Sequence, residues 1–213
     1  MRSLVLLTVG ALVLGGVAHA QTSDADHGYV EGVAQSAFGN VTSQSYGVEL
    51  GFTVAPHLQV FVEAGQTRNV ATAALGAAAQ TIAGGLSQTQ ANVGFSVKEP
   101  VTFGAAGVRV LVPVEGSKVR PYVMGGVGMA QVKQNVTFTI GGTDVTSNLQ
   151  QFNTVLGTDL SGDFTKPMLT LGAGVAYPVG RLVLDFQYRF GRIFAEDEAI
   201  NVNRAGIGVG VRF

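Results

Sequence analysis

The sequence predicts an all-β fold, an eight-stranded antiparallel up-and-down transmembrane β-barrel, and three observations carry that reading. Segments with period-two alternation recur eight times between Tyr29 and Phe213. Such alternation gives a strand two unlike faces, and a tilted membrane strand needs roughly 9 to 11 residues of it. The links between these segments alternate short and long, as in outer-membrane barrels, whose short turns face the periplasm. Beyond the first 20 residues no apolar run is long enough for a helical span, so a membrane-crossing chain of this composition must close its backbone hydrogen bonds between strands.

Residues 1–20 read as an export signal. Arg2 supplies a positive start, Leu4 to Ala18 is an apolar run, and Ala18-His19-Ala20 is a small-residue cleavage pattern before Gln21. The other reading is a membrane anchor, but this run falls short of the roughly 20 residues that a spanning helix needs. Cleavage there divides the chain into a signal peptide, 1–20, and one barrel domain, 21–213. Loss of Arg2 takes the basic count from 13 to 12 against 14 acidic residues. That is no nucleic-acid footprint, which demands a strongly basic face. Cysteine is absent, which removes disulfides, thiolate metal sites and cysteine nucleophiles from the possibilities.

The first expected strand is Tyr29–Phe38, whose glycine blurs its facing. The second, Tyr46–Val54, sets Tyr46, Val48, Leu50, Phe52 and Val54 against Gly47, Glu49, Gly51 and Thr53. The turn APHL leads to Leu58–Ala64, where Leu58, Val60, Val62 and Ala64 oppose Gln59, Phe61 and Glu63. A long link, 68–100, precedes Val101–Val112, and PVEGSKVRP turns the chain toward Val119–Val132. A second long link, 133–167, precedes Leu169–Tyr177. The turn PVGR then leads to Leu182–Phe190, where Leu182, Leu184, Phe186, Tyr188 and Phe190 oppose Val183, Asp185, Gln187 and Arg189. The link 191–202 precedes the last strand, Asn203–Phe213. Proline and glycine explain the tight turns. A soluble, lipocalin-like barrel has the same strand count with the opposite sense, apolar residues inward. The charges separate the two only weakly; the even strand number, alternating links, export signal and aromatic last residue favour the membrane sense.

With apolar side chains toward lipid, the opposite faces place Glu49, Glu63, Asp185 and Arg189 inside. Alternation along the last strand adds Arg204 and Arg212, and Glu31 and Arg109 join them. An eight-stranded barrel is only wide enough for side chains to fill, so opposite charges there are expected to pair. One reading of this cluster is a polar plug; the other is a narrow ion path or proton relay. The narrow lumen favours the plug. Gly206, Gly208 and Gly210 share a face of the last strand and leave room for long inward arms.

In the link 68–100, Val70 to Leu86 carries Leu75, Ala78, Ala79, Ile82 and Leu86 at helical spacing, with Gly84-Gly85 as the expected stop. It reads as a cap on the barrel mouth or as a partner-binding helix. In the link 133–167, VTFTIGGTDV suggests a hairpin around Gly141-Gly142 that projects beyond the membrane. SNLQQFNTVLG follows as one or two helical turns, with Ser147 or Asn148 as the expected cap. Lys133, Lys166, Arg68 and Arg192 fall near the outer rim, where they meet lipid phosphates or serve as ordinary surface charge.

The chemistry expected of these residues is not catalytic. Of three histidines, His19 lies in the signal, His27 precedes the first strand and His57 sits in a short turn, so none reaches the outer loops as a general base. Asp159, Asp163 and the run Glu196-Asp197-Glu198 are oxygen donors without EF-hand spacing and read as solvated loop charge. No GxGxxG or Walker pattern occurs. No cofactor or metal is therefore expected.

The stretches VRPYVMGGVGMA, LDFQYRFGRIF and NVNRAGIGVGVRF resemble the bacterial outer-membrane β-barrel domains related to the OmpA transmembrane domain and OmpX. The resemblance covers essentially all of 21–213 and concerns the barrel alone. It implies a place in the outer membrane among its lipids, and it implies that Phe213 and the alternating residues before it are the signal read by the barrel-assembly machinery. Related barrels include structural, adhesive, pore-forming and enzymatic members, so fold alone does not choose among them. A structural or adhesion-like role, with a surface ligand held by loops 68–100 and 133–167, is the favoured expectation. A small porin-like diffusion channel is the alternative.

Overall fold

A computed structural model describes residues 27–152, 160–195 and 199–213. The expected signal peptide, Asp159 and the run Glu196 to Glu198 lie outside the described residues. Eight long strands close a ring: β1 (Gly28–Phe38), β2 (Ser43–Ala55), β3 (Leu58–Thr67), β5 (Val101–Leu111), β6 (Arg120–Ile140), β8 (Ser161–Val179), β9 (Leu182–Ile193) and β10 (Ile200–Arg212). Each pairs antiparallel with its neighbours in chain order, and β10 returns to β1 in the register Glu31 to Gly210. Two further strands, β4 (Val93–Lys98) and β7 (Thr143–Asp144), lie outside the ring and pair with the upper part of β6.

The outer surface inverts the pattern of a soluble protein. Val48, Val62, Val127 and Phe186 are each more than half exposed, while Glu49, Asp185, Arg189 and Arg204 are buried. A wide apolar belt facing outward, over a buried polar interior, is the sense required of a membrane barrel and opposite to that of the lipocalin alternative. Among the described residues no helix is long and apolar enough to cross a membrane.

The link 68–100 is more structured than expected. Helix α1 spans Ala73–Ser87, and the Thr72 hydroxyl accepts the Leu75 amide at 3.2 Å as its N-cap. Its buried face is Leu75, Ala79, Ala83 and Leu86, so Ala78 points away from the packing that its spacing predicts. Gly84 and Gly85 do not end the helix. Each costs about 1 kcal/mol relative to alanine, but Leu86, just beyond them, is buried in a cluster with Val136, Phe138, Leu149 and Leu160. That packing carries the helix through the glycines to Ser87. β4 then continues the line of β5 along one edge of β6. Its registers run from Val93 opposite Ile140 to Lys98 opposite Asn135, while β5 begins with Val101 opposite Val132.

β6 rises past the apolar belt to the hairpin at Gly141 and Gly142, whose φ values of 58° and 84° are those of a tight primed turn. A 3-10 helix, Thr146–Phe152, follows β7. Its start is held by Asp144 rather than Ser147 or Asn148. The Asp144 carboxylate accepts the Thr146 hydroxyl at 2.6 Å and the Thr146 amide at 2.9 Å, bonds that hold this carboxyl below its ordinary range. β8 begins at Ser161, well before the expected Leu169, and includes Pro167. Pro167 lies opposite Phe194, one residue past the last ladder pair of Met168 with Ile193; its carbonyl accepts the Phe194 amide at 3.0 Å, so the missing proline amide falls where the β8–β9 pairing ends.

Candidate functional site

Alternation turns every second residue of the ring inward, and the long polar side chains of several strands meet at mid-barrel. Arg109 of β5 places Nη2 2.8 Å from Asp185 Oδ2, 3.3 Å from Glu49 Oε1 and 3.8 Å from Glu31 Oε1. Arg189 of β9 pairs through Nη2 with Glu49 and places Nη1 2.8 Å from Glu63 Oε2. Arg204 of β10 is 3.6 Å from Glu63 Oε1. The pairs therefore form a chain, Glu31 and Asp185 to Arg109, Glu49, Arg189, Glu63 and Arg204, with every member buried. Breaking such a pair leaves an uncompensated charge, the costly case for a buried ion.

Aromatic and amide groups complete this layer. The Arg109 guanidinium lies 3.7 Å from the Tyr122 ring centroid and 4.7 Å from that of Tyr29. Tyr122 donates its hydroxyl to Asp185 Oδ2 at 2.7 Å, and Tyr29 donates to Glu49. Gln187 reaches Glu31 and receives Gln35, both at 3.5 Å. Phe103 lies 4.2 Å under Arg204. Reading aromatic residues as lipid-facing misses the two tyrosines, and a search for charge misses the glutamines. Parity carries the signal: Tyr29 is two residues before Glu31, and Gln187 lies between Asp185 and Arg189. Glycines make room for the rings, since a Cβ on Gly51 would lie 2.2 Å from Tyr29 and one on Gly174 would lie 2.3 Å from the Tyr122 hydroxyl.

Apolar layers lie on both sides of the ion pairs. Toward the long loops, Val101, Val132, Met168, Ile193 and Ile200 form one cluster; toward the short turns, Phe61, Met124, Ala176 and Val183 form another. A recess opens at the turn end and is lined by Tyr29, Glu31 and Arg109. Arg212 lies at the rim of this recess, partly exposed, and its Nε donates to Gly180 O at 2.7 Å. It stands apart from the chain of ion pairs. Phe213 faces outward, packs edge-on against Phe52 at 6.2 Å, and exchanges backbone hydrogen bonds with Gly28.

A second assembly stands above the ring, built from α1, β4, the upper part of β6, β7 and the 3-10 helix. Glu99, between β4 and β5, ties it down. Its carboxylate accepts the Thr72 amide at 3.3 Å and the Gln134 side chain at 3.4 Å, while its carbonyl accepts the Val70 amide at 2.9 Å. Asn69 Oδ1 accepts both the Glu99 and Ala71 amides. Burial holds the Glu99 carboxyl above its ordinary range. Nothing local in the sequence distinguishes Glu99 from a solvated loop glutamate, so its role emerges only from the fold. His57 lies in the β2–β3 turn with φ of 65°, at the end of the barrel opposite this assembly. Among the described residues no group of three or more His, Cys, Asp or Glu gathers as metal ligands.

Residues 7–213 match the family described as outer membrane protein beta-barrel domain. Among solved structures, Neisserial surface protein A, from Neisseria, superposes with a TM-score of 0.53 at 16% identity, covering 87% of this chain and 96% of that one. A major outer membrane protein of Thermus thermophilus superposes with a TM-score of 0.52 at 14% identity, covering 87% of this chain and 99% of that one. At these identities the likeness concerns the fold. No curated protein matches the sequence.

Proposed function

For a chain that belongs to the outer membrane protein beta-barrel domain family and resides in the outer membrane, we propose a structural and surface-interaction role rather than a catalytic one. The observation that carries this reading is the packed assembly above the ring. Leu75, Ala79, Ala83 and Leu86 of α1 close on Val136 and Phe138 of β6, so the described parts of links 68–100 and 133–167 present a pre-organised surface. Pre-organisation lowers the ordering cost of binding. The test replaces 73–98 and 136–160 by short turns and compares attachment of cells displaying either protein to immobilised candidate host and envelope ligands. Loss of attachment, with the folded and boiled forms still separating on gels, is the expected result. Equal attachment would sink the reading.

A small diffusion channel is the second reading, favoured by the turn-end recess. The apolar layer of Val101, Val132, Ile193 and Ile200 on its far side weighs against it.

Two steps of biogenesis belong to the same proposal. Residues 1–20 are removed on export, and Phe213 is the signal for the assembly machinery. The outward ring of Phe213 and its backbone pairing with Gly28 support the second step, since they put the side chain within reach at the seam between the first and last strands. Deletion of Phe213 is expected to lower the yield of assembled barrel in cells while leaving spontaneous refolding in detergent largely intact. Equal losses in both would assign Phe213 to stability instead.

A further inference from the structure

We propose that Arg68, Lys98 and Lys133 form an outward-facing site for a phosphate group of an outer-leaflet glycolipid. It rests on the place of the ring in the outer membrane and is independent of the adhesive reading.

Register brings the three cations together. Thr67 of β3 lies opposite Val101 of β5, which lies opposite Val132 of β6. All three of these residues are buried, so the next residues, Arg68 and Lys133, face outward on a shared rung. Between them, at Pro100, the chain passes from β4 to β5, and the Lys133 amide donates to the Pro100 carbonyl at 3.0 Å. Lys98, two residues above Pro100, faces outward opposite Asn135. With strands about 4.8 Å apart and about 3.4 Å per residue, the three backbones fall within roughly 10 Å. Side chains of this length can close on one phosphate from that spacing.

The height also fits. Directly below this rung the outward residues are Gln66, Thr102 and Gln131, and the apolar belt begins beneath them with Val62, Val127 and Met129 all exposed; above the rung they are Ser96, Asn135 and Thr137. The cations therefore stand where the apolar belt gives way to polar surface, the level of lipid headgroups. Their partners within the chain are weakly held: Arg68 Nη1 donates to Gln44 at 3.4 Å, and Lys133 Nζ lies 3.8 Å from Asp163 with both groups half exposed. Such exposed pairs contribute little and exchange readily for a phosphate. On another part of the rim, Arg192 faces outward from β9 beside Asn201, away from these three residues.

The experiment uses the full barrel refolded in phosphatidylcholine nanodiscs and titrated with a bisphosphorylated lipid A, with its dephosphorylated form, and with inorganic phosphate. Wild type is expected to bind the phosphorylated lipid in preference to the other two. The variant R68Q/K98Q/K133Q is expected to lose roughly fivefold in affinity for each cation removed, while R192Q stays at the wild-type value and D163N binds more tightly. Separation of folded and boiled forms on gels checks that each variant is intact. Equal binding of the dephosphorylated lipid, retention of affinity in the triple variant, or an equal loss in R192Q would each overturn the proposal. Saturation by inorganic phosphate alone would assign the three residues to a free anion and overturn the lipid as its source.

Discussion

Arg189 is the residue on which the interior depends most. Its guanidinium joins Glu49 to Glu63 and so links the Arg109 half of the ion-pair chain to Arg204. Removing it leaves two buried carboxylates facing each other without their shared counter-ion. We expect Arg189→Ala to cost about 3–5 kcal/mol, the range for a buried pair broken on one side. Glu31 lies at the other end of the chain, 3.8 Å from Arg109, and Glu31→Gln keeps its size and an acceptor, so its cost is expected to be far smaller. Urea unfolding of the two variants in lipid vesicles measures the difference. Equal costs would mean that the interior is held by packing and that charge pairing contributes little.

Among the elements, α1 is the one whose attachment can be isolated. Its N-terminus is bound by the Thr72 hydroxyl and by the Glu99 carboxylate on the Thr72 amide. Burial raises the Glu99 carboxyl above its ordinary range, so the folded cap holds this proton more tightly than an unfolded one does. Stability of the cap is then full at acidic pH and falls as pH rises through the folded value. We expect amide protection in 73–87, corrected for intrinsic exchange, to decline with rising pH in wild type and to stay flat in Glu99→Gln, which keeps an acceptor. Glu99→Ala is expected to loosen the helix at every pH. A flat wild-type profile would show that Glu99 does not govern the cap.

The ring is legible in the sequence because period-two alternation survives wherever one face meets lipid and the other meets a packed interior. Leu182 to Phe190 shows this most plainly, with Leu184 and Phe186 outward and Asp185 and Gln187 buried. Above the membrane that contrast disappears. β4, with the sequence VGFSVK, and the upper parts of β6 and β8 are set by pairing and by the α1 cluster, neither of which leaves a periodic trace. The apolar layer at the outer end of the lumen is also hidden, since Val101, Val132 and Ile193 fall at segment ends where alternation assigns no facing. For the candidate site, parity puts Glu49, Glu63, Asp185 and Arg189 on inward faces, but which acid meets which arginine depends on register between strands as distant as β2 and β9.

At the scale of the whole molecule the lumen is closed at mid-barrel by the ion-pair chain and above it by the apolar layer, and the proposed interactions lie on the outer cap and the outer rim. Current through the protein in a planar bilayer tests this most directly. Wild type is expected to pass no steady current, because the ion-pair chain and the apolar layer above it leave no continuous aqueous path. Steady unitary steps from wild type, abolished in Glu63→Ala or Arg189→Ala, would contradict the closed lumen and make the interior a conducting pore.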